Sequence, residues 1–139
     1  IETAKKAGAR LLFGGEKIEG DGAFMSPGVL VDIPAEGPLQ HEEIFGPIMM
    51  VFKADDMDDA VRIAKNGPFG LGSSVWTADE AEQDRFIRDI EAGMTAINQM
   101  LASAPEAPFG GVKRSGHGRE LAGFGLHEFM NVKTVMLPN

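Results

Sequence analysis

The chain has 139 residues, 43% hydrophobic and 24% charged, which is the size and balance of one ordinary soluble globular domain. Its net charge of −8, from 21 acidic and 13 basic residues, argues against a clustered basic surface for phosphate backbones, so no nucleic-acid partner is expected. The absence of cysteine excludes disulfides, thiolate metal sites and a thiol nucleophile within this chain, and no apolar run approaches the ~18 residues that span a bilayer.

The chain opens at Ile1, with no initiator Met and no N-cap, and Ile1, Ala4 and Gly8 share one helical face. Residues 1–9 therefore read as the end of a helix begun upstream, and a truncated chain is the expectation. No leader-like pattern is present, so the expected location is cytoplasmic. Arg10-Leu11-Leu12-Phe13, stopped by Gly14-Gly15, suits a buried strand. A polar turn over 17–21 leads to an irregular strand over 24–33, interrupted by Pro27-Gly28. A loop from Gly37-Pro38 reaches Pro47, and the apolar run 48–52 lacks alternation, as expected of a strand covered on both faces.

A helix is predicted over 57–66, with Met57, Ala60, Val61 and Ala64 on one stripe, Gly67 at its C-terminal cap and the acidic residues Asp55, Asp56, Asp58 and Asp59 at its solvated start. Residues 71–76 read as a strand. Thr77 and Glu80 have the spacing of a capping box, flanked by Trp76 and Ala81 as a hydrophobic staple, for a helix that Gly93 ends. Residues 94–98 form the next predicted strand, and 99–115 a long Pro- and Gly-rich connection of the functional kind. A helix over 119–130 and a partly alternating edge strand over 132–137 complete the chain. Strands alternating with helices imply parallel crossovers and an α/β sheet.

Glu42-Glu43-Ile44-Phe45-Gly46-Pro47 precedes a strand, where α/β loops line ligand crevices; two solvated glutamates and a core Phe are the plain alternative. Taken with Pro108-Phe109-Gly110-Gly111-Val112-Lys113 and Ser115-Gly116-His117-Gly118-Arg119-Glu120-Leu121, it resembles the C-terminal signature series of the aldehyde dehydrogenase superfamily, in order and spacing. The loop 98–107 is similar to the substrate loop of bacterial succinate-semialdehyde dehydrogenases.

The resemblance implies a fold: residues 1–131 as the second half of an α/β catalytic domain, with a mostly parallel sheet and helices, and 132–139 as an oligomerisation strand. It implies roles as well. Glu43 holds the nicotinamide ribose of NAD or NADP, and Phe45 packs beside it. Phe109 walls the aldehyde pocket, with a loop anchor packed on the core as its alternative role. Ser103 binds a substrate carboxylate unless it is merely a surface-loop serine, and Glu106 faces away. Glu120 belongs to a proton path; its alternative role is a first-turn helix glutamate facing the helix dipole. Asn98, which ends a strand, is structural.

The implied reaction oxidises succinate semialdehyde to succinate, through a cysteine thiohemiacetal and hydride transfer. Cysteine, general base and the main cofactor domain would lie upstream, leaving the isolated chain inactive and the whole protein a homo-oligomer. The alternative is a non-catalytic binding or assembly module derived from the same fold. His41, His117 and His127 lack metal-ligand spacing, Gly116 to Leu121 fails as a dinucleotide fingerprint at Leu121, and the Asp55 cluster lacks the calcium-loop glycine.

Overall fold

The computed structural model describes residues 1–34 and 36–138. Two compact units divide the chain, Ile1–Gly67 and Pro68–Asn139.

The first unit contains α1 (Glu2–Lys6), β1 (Arg10–Phe13), β2 (Gly28–Val31), a 3-10 turn (Pro38–Gln40), β3 (Ile48–Met50) and α2 (Met57–Lys65). β2 is central, antiparallel to β1 and parallel to β3. The parallel rhythm expected from the sequence fails at β1–β2, because the polar turn after Phe13 carries no helix to make a crossover, and a chain that returns directly must pair antiparallel. The turn depends on Gly14, at φ +62°, where a Cβ would lie 1.7 Å from the Pro27 carbonyl oxygen. The predicted strand 24–33 is shortened to β2, its first part reduced to a single bridge between Lys17 and Met25.

The register sets the core. Leu30 lies opposite Leu11 and Met50, and is fully buried with Ala4, Ala9, Ile33 and Leu39, while Ile48 and Phe52 pack at the margin. The alternate residues Phe13, Val29 and Met49 pair on the opposite face. Met49 is 64% exposed and Val51 42%. The expected two-sided cover of 48–52 is therefore not met within this unit, since β3 is an edge with one face on the core.

α2 starts where the acidic cluster suggested, with the Asp56 side chain accepting from the Asp59 N–H at 2.9 Å. Asp59 in turn accepts from Arg62 at 2.7 Å, and Arg62 donates to Glu36 at 3.2 Å. The Arg62 hydrogen bond, helped by the Asp55 N–H, holds the Asp59 carboxyl below its ordinary range. Gly67 follows the cap residue Asn66 but is not left-handed. A Cβ there would lie 3.1 Å from the Gln40 carbonyl oxygen, so the glycine serves close approach instead.

The second unit contains β4 (Phe69–Gly70), β5 (Gly72–Val75), α3 (Glu80–Asp89), β6 (Met94–Ile97), β7 (Val112–Lys113) and α4 (Ala122–His127). β5 and β6 pair in parallel with α3 as their crossover; β4 and β7 pair antiparallel. The capping box expected at Thr77 and Glu80 is displaced: Asp79 is the N-cap and accepts from the N–H groups of Ala81 and Glu82 at 2.8 and 3.2 Å. Thr77 is diverted, because its hydroxyl donates to Glu82 and accepts from the Asp79 N–H.

Gly93 does not end α3, which stops at Asp89. It donates to the Gly70 carbonyl at 3.0 Å, and a Cβ there would lie 1.8 Å from the Gly110 oxygen. Asn98, left-handed at φ +52°, clamps the backbone of Thr77 from both sides: its Oδ1 accepts from the N–H and its Nδ2 donates to the carbonyl, each at 2.9 Å. That matches the structural role expected of it. Among the described residues, 132–138 take no strand pairing; Val132 is 94% exposed and Met136 90%, and Asn139 lies outside the described residues.

Candidate functional site

Glu43 and Phe45 belong to the first unit, in the loop between the 3-10 turn and β3. The loop is tied at its end, where Gly28 donates to the Pro47 carbonyl at 2.9 Å and Ile48 to Gly46 at 2.8 Å. Phe45 is left-handed at φ +49° and 91% exposed. A non-glycine residue in that region costs about 1–2 kcal/mol. Within this unit Phe45 is therefore not the core residue of the plain reading. Glu43 is exposed as well, and among the described residues no side chain engages its carboxylate.

The other candidates lie in the second unit. Phe109 and Glu120 are paired backbone to backbone, each N–H donating to the other's carbonyl at 2.8 Å. Between them the glycine-rich chain folds back on itself. Gly110, at φ +158°, passes so close that a Cβ would lie 2.7 Å from the Gly118 oxygen. Arg119 secures the fold-back, its Nη1 donating to the carbonyls of Gly111 and Gly118 at 2.8 and 2.7 Å. Ser115 anchors the loop to β4 by accepting from the Gly70 N–H at 2.9 Å.

This geometry corrects the alternative role of Glu120. Instead of starting at 119, α4 starts at Ala122, after Leu121 and with no side-chain cap. Glu120 therefore precedes the helix, and its backbone is committed to Phe109. Leu121 and Ala122 adopt φ of +66° and +47°, while the Ala122 N–H donates to the Pro105 carbonyl at 3.0 Å. Long-range pairing has outcompeted the helix start that local sequence favours. At six residues α4 is also much shorter than the expected 119–130.

Two clefts open on Phe109, which is half-buried. One, of about 400 Å³, also has Leu71, Arg119, Glu120 and Glu128 on its walls. The other, of about 470 Å³, is bordered by Gly72, Ser74, Met94, Leu101 and Ser103. Phe109 thus stands with Glu120 on one side and Ser103 on the other, and the two polar residues do not share a cleft. Ser103 is exposed. Among the described residues no cluster of three His, Cys, Asp or Glu side chains could hold a metal ion.

Arg119 and Ser115 escape a reading by motif alone. Their signal is chemical: a run of glycine carbonyls and N–H groups needs side-chain partners, and Arg, with five donors, serves two carbonyls at once.

Residues 1–135 match the profile of the aldehyde dehydrogenase family. The chain is 53% identical over 135 residues to succinate-semialdehyde dehydrogenase [NADP(+)] 1 of Mycobacterium ulcerans, covering 97% of this chain and 30% of that protein. It is 52% identical over 137 residues to the Mycobacterium tuberculosis protein of the same name, covering 99% of this chain and 30% of that one. Among solved structures, a lactaldehyde dehydrogenase superposes with TM-score 0.95 at 33% identity, covering 99% of this chain and 29% of its own. Succinic semialdehyde dehydrogenase from Streptococcus pyogenes, in complex with NADP+, superposes with TM-score 0.90 at 35% identity, covering 99% of this chain and 30% of its own. The chain spans about 30% of the length of the curated relatives it matches. On a match that runs through nearly every residue, the chain belongs to the aldehyde dehydrogenase family.

Proposed function

We propose that this chain is the C-terminal part of the catalytic region of an NAD(P)-dependent aldehyde dehydrogenase that oxidises succinate semialdehyde to succinate. The observation that carries the reading is the position of Phe109, half-buried between a cleft that holds Ser103 and a cleft that holds Glu120. An aromatic wall with a hydroxyl donor on one side suits a short aldehyde ending in a carboxylate. The identity to succinate-semialdehyde dehydrogenases supports the same substrate.

The loop on the first unit suits a nicotinamide cofactor. Glu43 offers an exposed, acceptor-only carboxylate able to take two ribose hydroxyls, and Phe45 offers a bare aromatic face that excludes water beside a flat ring. A nicotinamide held there would supply the hydride acceptor that an aldehyde oxidation requires. Ser103 donates to the substrate carboxylate, Phe109 restricts the aldehyde carbon, and Glu120 carries protons to or from the site. The attacking thiol comes from outside this chain, which has no cysteine. The whole protein works in the cytoplasm as a homo-oligomer, into whose sheet the exposed segment 132–138 adds a strand.

The test uses the full-length enzyme. Ser103→Ala should weaken kcat/KM for succinate semialdehyde by about 1.5–3 kcal/mol, the worth of a hydrogen bond to a charged group, and spare a neutral aldehyde of equal length. Equal losses for both would remove the substrate assignment. In the same enzyme Glu43→Gln should slow single-turnover hydride transfer by up to ~100-fold with the fold intact, as for a 1 Å misplacement. Unchanged transfer and cofactor affinity would end the cofactor role of Glu43.

A further inference from the structure

Gly72 opens β5 in register with Met94 of β6, and its φ is not in the left-handed range, so backbone conformation does not demand a glycine there. Within a strand, glycine adds flexibility and packs nothing; its use marks close approach by another group. That group is Leu101. A Cβ on Gly72 would lie 2.0 Å from Leu101 Cδ2 and 3.5 Å from its Cγ, with Met94 Cε at 3.7 Å. The leucine side chain occupies the space that any larger residue at 72 would fill.

Leu101 belongs to the segment that bears Ser103. This segment is fastened at its start by Asn98, whose N–H donates to the Val75 carbonyl at 2.7 Å and whose amide clamps Thr77. The next fastening is at Pro105, whose carbonyl accepts from the Ala122 N–H at 3.0 Å. Between the two, among the described residues, no backbone hydrogen bond holds residues 99–103. From 98 to 103 Leu101 alone is not exposed, and its neighbour Met100 is 80% exposed. Gly72, Leu101 and Ser103 border the same cleft.

We infer that Gly72 is a positioning residue: it forms the seat for Leu101, and the seated leucine sets where Ser103 presents its hydroxyl. The inference rests on the substrate role proposed above for Ser103. Gly72 acts through the leucine two residues before the serine.

The experiment is a double-mutant cycle in the full-length enzyme, with Gly72→Ala, Leu101→Ala and the pair. Each single change should raise KM for succinate semialdehyde about tenfold, less than the ~100-fold of a full 1 Å misplacement, and raise KM for a neutral aldehyde of equal length several-fold less, since both residues also border the cleft. The pair should be no worse than either single variant, because once the leucine side chain is gone the alanine at 72 meets nothing. The amide chemical shifts of residues 99–103 should move in all three variants. Equal losses for both aldehydes, or single effects that multiply in the pair, would overturn the inference. An enzyme inactive on succinate semialdehyde would defeat the substrate reading instead, and the amide chemical shifts of 99–103 would still decide the seat: no coupling between 72 and 101 there would refute it.

Discussion

In the first unit Leu30 is fully buried among Ala4, Ala9, Ile33 and Leu39, whereas in the second Ala96 is the one buried apolar side chain among the described residues. The second unit is held by its backbone. Gly93 donates to Gly70, Phe109 and Glu120 exchange two hydrogen bonds, and Arg119 and Ser115 join the glycine turns to what lies beside them. The difference suits what each unit carries. A packed sheet can support one exposed, strained loop such as that of Glu43 and Phe45, because the loop needs only firm ends. Clefts assembled from several returning segments, as around Phe109, need backbones closer together than side chains permit, and glycine provides that closeness.

The largest effect should come from the apolar core. Leu30→Ala should destabilise the first unit by about 3.5 kcal/mol, the middle of the range for a large-to-small change at a buried leucine. Native-state hydrogen exchange, read for each unit in the full-length protein, is the measurement. Protection should fall in β1, β2 and β3 and persist in β5 and β6. A loss shared equally by both units would break the comparison at its root.

Gly93→Ala is the converse. The added Cβ would lie 1.8 Å from the Gly110 oxygen, which is backbone and cannot swing aside as a side-chain end can. Overpacking of this kind costs about 1–3 kcal/mol, and it should appear as lost protection at Gly70, Gly93 and the Phe109–Glu120 pair. β1 to β3 should be unaffected. If Gly93→Ala is silent, contact between backbones is not what holds the second unit.

The same contrast explains how far sequence reasoning reaches here. Apolar runs locate β1, β3 and β6, a stripe with helical period locates α2 and a capping signal locates α3, because each depends on neighbours close along the chain. The antiparallel return of β1 onto β2 was hidden, since pairing between distant segments leaves no local trace. The start of α3 was misplaced by two residues because Thr77 and Asp79 are both good caps, and only the Thr77–Glu82 contact removes Thr77 from the competition. α4 was overextended because Leu121 and Ala122 favour helix locally, whereas Phe109 and Pro105 capture their backbone surroundings from afar. Of the site, the aromatic and acidic residues stood out by motif. The seat of Phe109 between two clefts, and the bonds of Arg119, depended on which backbones meet.

The smallest effect tests whether the two units also differ in how their helices hold charge. Asp59 on α2 and Asp89 on α3 both have carboxyls held below the ordinary range, chiefly by a hydrogen bond from Arg62 in one case and from Arg88 in the other. A carboxyl with a depressed folded value stabilises the fold fully above its unfolded value, ~3.9, and loses that contribution as pH falls through the lower folded value, so any effect appears only in acid below about pH 4. Both groups lie at the surface, where screening keeps the contribution small. The supports differ in kind. Asp59 also accepts from the Asp55 backbone N–H at 3.2 Å, whereas the second donor to Asp89 is another side chain, Arg85 at 3.4 Å. In carbon-detected NMR titrations Arg62→Gln should raise the Asp59 midpoint only part of the way, because the backbone donor stays. Replacing Arg85 and Arg88 together by Gln should release Asp89 to ordinary behaviour. A full return of Asp59 on loss of Arg62 alone would show that the Asp55 N–H contributes nothing, and that side chains alone hold the charge on both helices.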